Sequence, residues 1–453
     1  MGSLTTLEEF LGEHPSIKTV APSDASFDSI RETYVVTSSV PSLIVRPQSE
    51  DDVAALISHC AATSTPFVIR TGGHDLASRS TIDGVLQIDL RDIKHVRVSD
   101  DRKTARLGGG VLLAPLLEAL EKEGLMTPTG TVGSVGYVGW ATFGGYGPFV
   151  PSLGLGCDQI VGARIVLASG EVVDADEELL RGVRGAGPAL GVIVEIEIKV
   201  YPKQEILAGI VAYDSKDLRA TIRAFWPSWN KLVTSKTLPD DISLQPSILD
   251  VPHMGKVFAV GFVWAGPASE ASESWLEEIA SLVPGPMKLV APTSPAGYIA
   301  QITSMVPQGV YRGSSHGVNF RGLGLSAGAQ EVFVETGSMI PGDGTLISMH
   351  QLRGKAARGD HLPGVFRNRE DHLMLEVIGL VATKEKAKEG KEWADAVKNG
   401  MKGVEGVMEV GYYSLLPKGE VGMEVMYGES WEFIKALKEK VDPGNLFRFA
   451  FAG

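Results

Sequence analysis

The sequence predicts an α+β fold that is divided into more than one domain. The chain has 453 residues, 44% of them hydrophobic, which is more than one ordinary core accommodates. Between residues 41 and 199, short strand-like runs alternate with amphipathic helical segments. From about residue 206 the strand-like runs are longer and are separated by helices, a pattern typical of an antiparallel sheet covered by helices.

The first of these regions is predicted from its apolar runs and from two helix-end signals. Its predicted strands are 43–45, 67–69, 85–90, 104–107, 160–167, 171–174 and 192–200. Ser49 is predicted to cap the helix after the first strand, because its hydroxyl can accept a hydrogen bond from a free N–H of the first turn. Gly124 is predicted to follow the end of a later helix, whose apolar face runs from Leu113 to Leu120.

The second region and the C-terminal segment complete the prediction. Residues 256–264 and 373–381 are predicted strands, and residues 271–282 are a predicted helix. A last helix is predicted over residues 429–440. Pro443 and Gly444 come shortly after it, and since neither residue continues a helix well, the chain is predicted to turn back there.

The composition favours small-molecule chemistry. The net charge of -13 is spread along the chain, which argues against nucleic acid or an anionic membrane as the main partner. The N-terminal residues show neither a signal peptide nor a membrane span. With two cysteines and no glycosylation sequon, the sequence predicts a cytoplasmic protein without structural disulfides, whose partner is a small organic molecule.

The most informative segment is Arg70-Thr71-Gly72-Gly73-His74-Asp75, directly after the apolar run 67–69. A histidine on a Gly-Gly turn after a buried strand can meet a ligand that the backbone approaches closely. A histidine at such a turn is also often satisfied by ordinary hydrogen bonds, so the segment alone leaves both interpretations open.

A glycine-rich segment points to the ligand. Glycines recur at every third position from Gly130 to Gly139, and Gly144, Gly145 and Gly147 follow. This spacing leaves main-chain N–H groups unobstructed, as a diphosphate requires. The lysine of a P-loop and the strand-to-helix context of a Rossmann fingerprint are both missing. Another cluster, Gly185 to Gly191, either closes over the same ligand or forms a loop before the next strand.

Five segments together resemble a known family. They are Arg70-Thr71-Gly72-Gly73-His74, Thr131-Val132-Gly133 to Gly147, Leu155-Gly156-Cys157-Asp158, Leu190-Gly191-Val192-Ile193 and Asp442-Pro443-Gly444-Asn445-Leu446-Phe447. In order and spacing the chain resembles the FAD-linked oxidases of the berberine bridge enzyme type, within the vanillyl-alcohol oxidase and p-cresol methylhydroxylase superfamily. The resemblance implies an FAD-binding domain over residues 1–205 with its core at about 36–204, a substrate-binding domain over 206–409, and a C-terminal return to the FAD-binding domain over 410–453.

The resemblance also implies how FAD is held. A covalent bond from the 8α-methyl carbon of the flavin to His74 is expected. Members with a second, cysteinyl bond carry Cys where this chain has Thr129, so a single link is predicted. Ser414 stands where members often have the Asn of a Tyr-x-Asn. The residues implied to bind the cofactor are Arg70, Thr71, Gly72, Gly73, His74, Asp75, Thr131, Val132, Gly133, Gly136, Gly139, Gly144, Gly145, Gly191, Val192, Ile193 and Asn445.

Glu376 is the leading catalytic candidate because one carboxylate interrupts the apolar run 373–381. If its side chain is turned toward a pocket, Glu376 is suited to accept a proton. If the strand has one solvent-exposed face and Glu376 lies on it, the carboxylate would simply be solvated. By resemblance it matches the family's catalytic glutamate. Tyr413, also predicted to be catalytic, and Tyr137 are candidates for lining the flavin. His350 is more typical of a satisfied structural histidine.

These observations predict an FAD-dependent oxidase that transfers hydride from a small organic substrate, expected to be a specialised metabolite, to flavin and then to dioxygen. Three alternatives stay open: a carbohydrate or alcohol oxidase, a non-redox cyclase that uses the flavin pocket as a scaffold, and a flavin-binding protein without turnover. No metal site is predicted, because no paired His, Cys or acidic spacing typical of zinc or iron occurs.

Overall fold

The computed structural model describes residues 6–251, 255–306, 309–311, 313–417 and 419–451. The helices are α1 Leu7–Glu13, α2 Phe27–Arg31, α3 Glu50–Thr63, α4 Leu113–Lys122, α5 Tyr137–Thr142, α6 Val150–Leu153, α7 Glu177–Ala186, α8 Leu218–Ser235, α9 Glu270–Ala280, α10 Pro295–Met305, α11 Ala327–Glu335, α12 Lys355–Arg358, α13 Ala387–Gly400, α14 Met423–Tyr427 and α15 Trp431–Val441. Among them, none is long and apolar enough to cross a membrane.

The strands follow the predicted division into two regions. They are β1 Lys18–Val20, β2 Val35–Val36, β3 Leu43–Arg46, β4 Phe67–Arg70, β5 Leu86–Asp89, β6 Val96–Val98, β7 Thr104–Gly108, β8 Leu125–Met126, β9 Ile160–Val166, β10 Val172–Asp174, β11 Val192–Lys199, β12 Tyr201–Pro202, β13 Ile206–Tyr213, β14 Ile242–Val251, β15 Gly255–Trp264, β16 Pro286–Thr293, β17 Val310–Tyr311, β18 Ser315–Arg321, β19 Leu346–Leu352, β20 His372–Ile378 and β21 Val407–Met408.

Two sheets form the first region. One has the order β1-β3-β5-β4, and the other has the order β10-β9-β11-β7-β6. Strands β3, β5 and β4 run parallel, with α3 as the crossover from β3 to β4. The predicted cap of α3 is confirmed, because the Ser49 hydroxyl accepts the N–H of Asp52 at 3.2 Å. The buried face of α3 packs on the sheet. Strand β4 follows α3 and ends at Arg70, directly before the His74 turn.

The eight-stranded sheet of the second region is antiparallel, as the sequence predicts. Its order is β16-β13-β15-β14-β19-β20-β18-β21. One face is covered by α8, α9, α11 and α13, and the apolar residues at alternate strand positions are buried beneath these helices. The other face is turned toward the first region. Alternation along each strand therefore decides which residues reach the functional site.

The C-terminal segment returns to the first region, as predicted from Pro443 and Gly444. Helix α15 ends at Val441, and the Asp442 carboxylate accepts the N–H groups of Leu446 at 2.6 Å and Phe447 at 3.0 Å. The Phe447 ring then packs edge-on against Phe67 of β4, with 5.9 Å between ring centroids. This contact places the end of the chain beside the strand that leads to His74.

The Gly185 to Gly191 cluster is partly helical, which differs from a plain loop before a strand. Gly185 lies within α7 with φ +143°, in a kink that ends the regular helix. A Cβ atom at Gly185 would lie 2.6 Å from Phe366 N. Glycine is therefore required here by close packing against the 365–366 segment.

Candidate functional site

A cavity of about 520 Å³ lies between the first region and the free face of the eight-stranded sheet. One side is formed by residues of the segments 71–76, 130–140 and 191–193, which we call the loop wall. The opposite side carries Gln245, Ser247, Ser348, His350 and Glu376, which we call the sheet wall. Residues of both predicted regions therefore line the same cavity.

His74 is held in the loop wall from two directions. Its Nε2 lies 2.8 Å from Ser134 Oγ. Its ring stacks on Tyr34, with 4.7 Å between centroids and 15° between planes. Desolvation, followed by the nearby charge of Arg70, lowers the pKa of His74 to about 4. The imidazole is therefore neutral at pH 7 and keeps a lone pair on one nitrogen.

The His74 turn and the glycine segment are pressed together, and this explains two of the glycines. A Cβ atom at Gly72 would lie 2.4 Å from Gly136 N. A Cβ atom at Gly136 would lie 2.3 Å from Thr71 Oγ1. Both distances are far shorter than any real contact, so only glycine permits this approach of the two backbones. Gly139 differs, since its only protein neighbour would be Thr71 Oγ1 at 3.9 Å.

The loop wall fits the diphosphate of FAD. Among the described residues, the main-chain N–H groups of Gly72, Gly73, His74, Thr131 and Val132 make no hydrogen bond within the protein. All five residues line the cavity. Neutral N–H donors that lack acceptors are what an anionic diphosphate needs. The donor set of this chain therefore suits the cofactor that the resemblance implies.

Glu376 lies on the face of β20 that lines the cavity, and not on a strand face that is open to bulk solvent. Its neighbours Leu375 and Val377 are 0% exposed and pack under the helices. Glu376 points the other way, and its side chain is 22% exposed within the cavity lining. Its Oε2 is 3.4 Å from His350 Nε2. The sheet wall thus contains a carboxylate and an imidazole within reach of one another.

Two polar side chains surround this pair. The Gln245 amide nitrogen donates to Ser348 Oγ at 2.5 Å and lies 3.3 Å from His350 Nε2. Ser348 is the direct cross-strand partner of Glu376. His350 Nε2 thus lies within reach of both the Gln245 amide nitrogen and the Glu376 carboxylate.

A second histidine is structural and fixes Tyr146. His372 Nδ1 lies 2.8 Å from the Glu370 carbonyl oxygen, to which it must donate. Its Nε2 is then the acceptor, so the Tyr146 hydroxyl donates to it at 2.7 Å. Burial lowers the pKa of His372 to about 4. The Tyr146 ring lines the cavity and stands edge-on to Tyr412, at 5.2 Å between centroids.

Tyr413 and Tyr412 take different positions. The Tyr413 hydroxyl donates to the Ala450 carbonyl at 2.8 Å, and its ring stacks on Phe143 at 4.6 Å. The Tyr412 ring lines the cavity edge-on to Tyr146, and its pKa is raised by desolvation, with a further contribution from the charge of Glu376. Ser414, which replaces the family's asparagine, hydrogen-bonds the Tyr412 side chain. Tyr137 is fully buried in the core outside the cavity lining.

The structure brings most of the sequence-predicted residues to one cavity. Those that line it are Thr71, Gly72, Gly73, His74, Asp75, Thr131, Val132, Gly136, Gly139, Gly191, Val192, Ile193, Glu376 and Tyr413. Five others do not line it: Arg70, Gly133, Gly144, Gly145 and Asn445.

The five residues outside the cavity have structural contacts instead. The Arg70 guanidinium donates to the carbonyls of Ile30 and Glu32. Gly133 N–H donates to Thr303 Oγ1 at 2.9 Å. Cβ atoms would lie 2.5 Å from the Phe366 ring at Gly144 and 2.7 Å from Gly156 Cα at Gly145. Asn445 has φ +49° in the turn after α15. A direct role of these five in cofactor binding has no support from the geometry.

Sequence reasoning did not identify three residues of the site. Tyr34 and Ser134 hold His74, and Tyr412 lies near Glu376. Ser134 lies within the glycine segment, but a serine among glycines carries no signal of its own. Tyr34 belongs to no motif, and both Tyr412 and Tyr413 line the cavity, so the sequence does not indicate which of the two lies near Glu376.

Comparisons with known proteins agree with this geometry. Residues 41–176 match the family model described as an FAD binding domain. FAD-linked oxidoreductase aurO of Gibberella zeae is 33% identical over 454 residues, which covers 96% of this chain and 85% of the relative. BBE-like 1 of Physcomitrella patens has a similar fold, with TM-score 0.85, 20% identity and 99% of each chain covered.

A third comparison is with another solved structure. Berberine bridge enzyme of Eschscholzia californica superposes with TM-score 0.81 and 19% identity, over 98% of this chain and 97% of that one. The predicted α+β fold with an FAD-binding domain is confirmed. The chain belongs to the FAD-linked oxidoreductases, and its fold is similar to that of berberine bridge enzyme.

Proposed function

We propose that this FAD-dependent oxidoreductase oxidises a C–H bond of a small organic substrate, with Glu376 as the proton acceptor and dioxygen as the terminal acceptor. One observation carries the proposal: the Glu376 and His350 pair of the sheet wall faces the N–H donors of the loop wall across a single cavity. A substrate in this cavity lies between the base and the cofactor, so that proton and hydride leave on opposite sides.

His74 and the N–H groups of the loop wall are proposed to hold FAD, which supplies the hydride acceptor when bound. Thr129 does not line the cavity and is 0% exposed, in agreement with one covalent link, at His74. Residues 1–205 and 410–453 are proposed to form the FAD-binding domain, since they supply the loop wall and Phe447. Residues 206–409, which supply the sheet wall, are proposed to bind the substrate.

Glu376 and His350 are proposed to act in sequence. The carboxylate accepts a proton from the substrate while hydride leaves. His350 Nε2, 3.4 Å away, can take that proton up and become an imidazolium beside the restored carboxylate. Gln245 keeps the neutral imidazole in place through its amide nitrogen, 3.3 Å from Nε2. The pair thereby returns the base to its active form during turnover.

The charges in the cavity favour a neutral or cationic substrate. Its described lining contains no lysine, and beside Asp75, which is paired with Arg79, it contains the carboxylates of Asp250 and Glu376. The Arg79 guanidinium lies 2.9 Å from Asp75 and donates to two main-chain carbonyls at 3.2 Å, so its charge is already engaged. An anionic substrate would lack a partner for its charge. The aromatic rings of Tyr146 and Tyr412 favour a flat apolar body.

Anaerobic reduction tests the proposal. Purified protein is mixed without oxygen with matched neutral, cationic and anionic aromatic alcohols, amines and phenols. We expect neutral or cationic compounds to bleach the flavin absorbance, and air to restore it. Product formation without bleaching would indicate a non-redox cyclase and contradict the proposal. Bleaching by the anionic series alone would contradict the substrate class.

Acid precipitation tests the cofactor link. We expect yellow flavin to stay with the wild-type polypeptide and to be released from His74→Ala. Flavin that leaves the wild-type protein would contradict a covalent bond, and flavin that stays with His74→Ala would place the bond elsewhere. Thr129→Ala is the matched control, because it should retain flavin as fully as the wild type does.

A further inference from the structure

Ser134 contacts the imidazole of His74 at one of its two ring nitrogens, Nε2. Ser134 Oγ lies 2.8 Å from His74 Nε2, across 60 residues of sequence. The structure records no hydrogen bond at Nδ1 among the described residues. Tyr34 stacks on the ring at 4.7 Å and prevents it from turning over. The two ring nitrogens are therefore in different environments.

The contact at Nε2 bears on which nitrogen carries the proton, since the Ser134 hydroxyl can accept from Nε2–H or donate to Nε2. The pKa of about 4 makes His74 neutral at pH 7, so one nitrogen is an N–H donor and the other has a lone pair. In a neutral imidazole, the hydrogen bond at one nitrogen selects the state of the other. With Ser134 Oγ as the acceptor of the Nε2–H, the lone pair lies on Nδ1, where no protein group competes for it.

We propose that Ser134 is a positioning residue for covalent flavin attachment, because it fixes the His74 tautomer that leaves Nδ1 nucleophilic. The inference rests on the proposed link at His74. In the reaction Nδ1 forms a bond to the 8α carbon of the flavin. That carbon loses one hydrogen and Nε2 loses its proton, and the two protons and two electrons end on dioxygen as hydrogen peroxide. Ser134 Oγ, 2.8 Å from Nε2, accepts the hydrogen bond of the Nε2–H while the bond forms.

Three full-length variants test this role. Ser134→Ala removes the acceptor, and Ser134→Thr keeps a hydroxyl. Ser152→Ala is the control, because within the described part of the chain the Ser152 hydroxyl has one hydrogen bond, to the Phe149 carbonyl at 3.3 Å. Each protein is incubated with FAD, and the flavin retained after acid precipitation is followed in time beside total bound flavin. We expect covalent attachment to slow about tenfold in Ser134→Ala, with total bound flavin unchanged. Ser134→Thr and Ser152→Ala should match the wild type.

A second measurement does not depend on attachment rates. The ¹⁵N chemical shifts of His74 in flavin-free protein report the tautomer, and we expect the Nε2–H form in the wild type and a mixture of tautomers in Ser134→Ala. An unchanged attachment rate in Ser134→Ala, or a wild type in the Nδ1–H form, would overturn the role of Ser134. Release of all flavin from the wild type would instead contradict the link itself, so the two failures are distinguishable.

Discussion

The loop wall and the sheet wall face each other across one cavity, yet main chain forms the first and side chains form the second. In the loop wall, glycines let two segments approach so closely that a Cβ atom at Gly136 would lie 2.3 Å from Thr71 Oγ1. In the sheet wall, Glu376 and His350 protrude from regular strands whose alternate residues are buried. The first wall depends on the path of the backbone, and the second on which residues alternate onto one face.

This difference separates the effects of substitution. A change in the loop wall alters the geometry that holds the cofactor, so folding and flavin binding should change together. A change on the sheet wall replaces a side chain on a strand whose opposite face anchors it to the helices. Chemistry should then change while the fold and the flavin remain.

The largest effect is expected at Glu376. Glu376→Gln keeps the size of the side chain and removes its basicity, so we expect the rate of anaerobic flavin reduction to fall about 10²- to 10⁴-fold. Flavin content and thermal stability should stay at the wild-type level. Glu335→Gln is the control, since Glu335 pairs with Arg219 at 2.9 Å and with Arg223 at 3.1 Å on the outer surface, away from the cavity. Loss of flavin from Glu376→Gln would contradict the separation of the two walls.

Acid should destabilise the sheet wall through His372. The pKa of His372 is about 4 in the folded protein and about 6.5 when unfolded. Between these values the unfolded chain binds more protons, so the stabilisation is present above pH 6.5 and is lost as the pH falls toward 4. The loss amounts to about 3 kcal/mol. Urea unfolding at several pH values gives the unfolding free energy as a function of pH. Between pH 4 and 6.5 the slope of this dependence should be shallower in His372→Gln, by the equivalent of about one bound proton. An equal slope in both proteins would contradict the buried neutral imidazole.

Two glycines of the loop wall should respond differently to the same change. Gly136→Ala forces the two loops apart, and we expect an unfolding free energy lower by about 1–3 kcal/mol together with loss of flavin. Gly139→Ala meets only Thr71 Oγ1 at 3.9 Å, so the protein should keep its stability while the methyl group crowds the cofactor and weakens its binding. Thermal unfolding and the ratio of flavin to protein measure both effects. Equal melting temperatures for the two variants would contradict this account of the loop wall.

The sequence predicted those features whose cause is local. The His74 turn and the glycine spacing are visible because backbone approach demands glycine at fixed positions. Glu376 is visible because one carboxylate interrupts an apolar strand. In each case the physical requirement is contained in a few consecutive residues, and the eight-stranded sheet follows from the same kind of alternation.

What the sequence did not predict depends on contacts between distant segments. Ser134 meets His74 across 60 residues and Tyr34 meets it across 40, and neither contact leaves a trace in its own neighbourhood. Arg70 shows the reverse case, because it belongs to the His74 segment and yet its guanidinium donates to the carbonyls of Ile30 and Glu32 and does not line the cavity. Membership of a motif does not decide where a side chain points.

The smallest effect is expected at His350, and it tests whether the sheet wall acts as a pair or as a lone base. His350→Gln keeps a hydrogen-bonding side chain but cannot carry a proton, so we expect flavin reduction to slow about tenfold. The control is His95→Gln, because His95 forms a similar pair with Glu195 at 2.7 Å outside the cavity. A rate of flavin reduction that stays at the wild-type level in His350→Gln would mean that Glu376 passes its proton directly to solvent. In that case the imidazole would only orient the carboxylate, and Gln245 would be positioned for a structural contact alone.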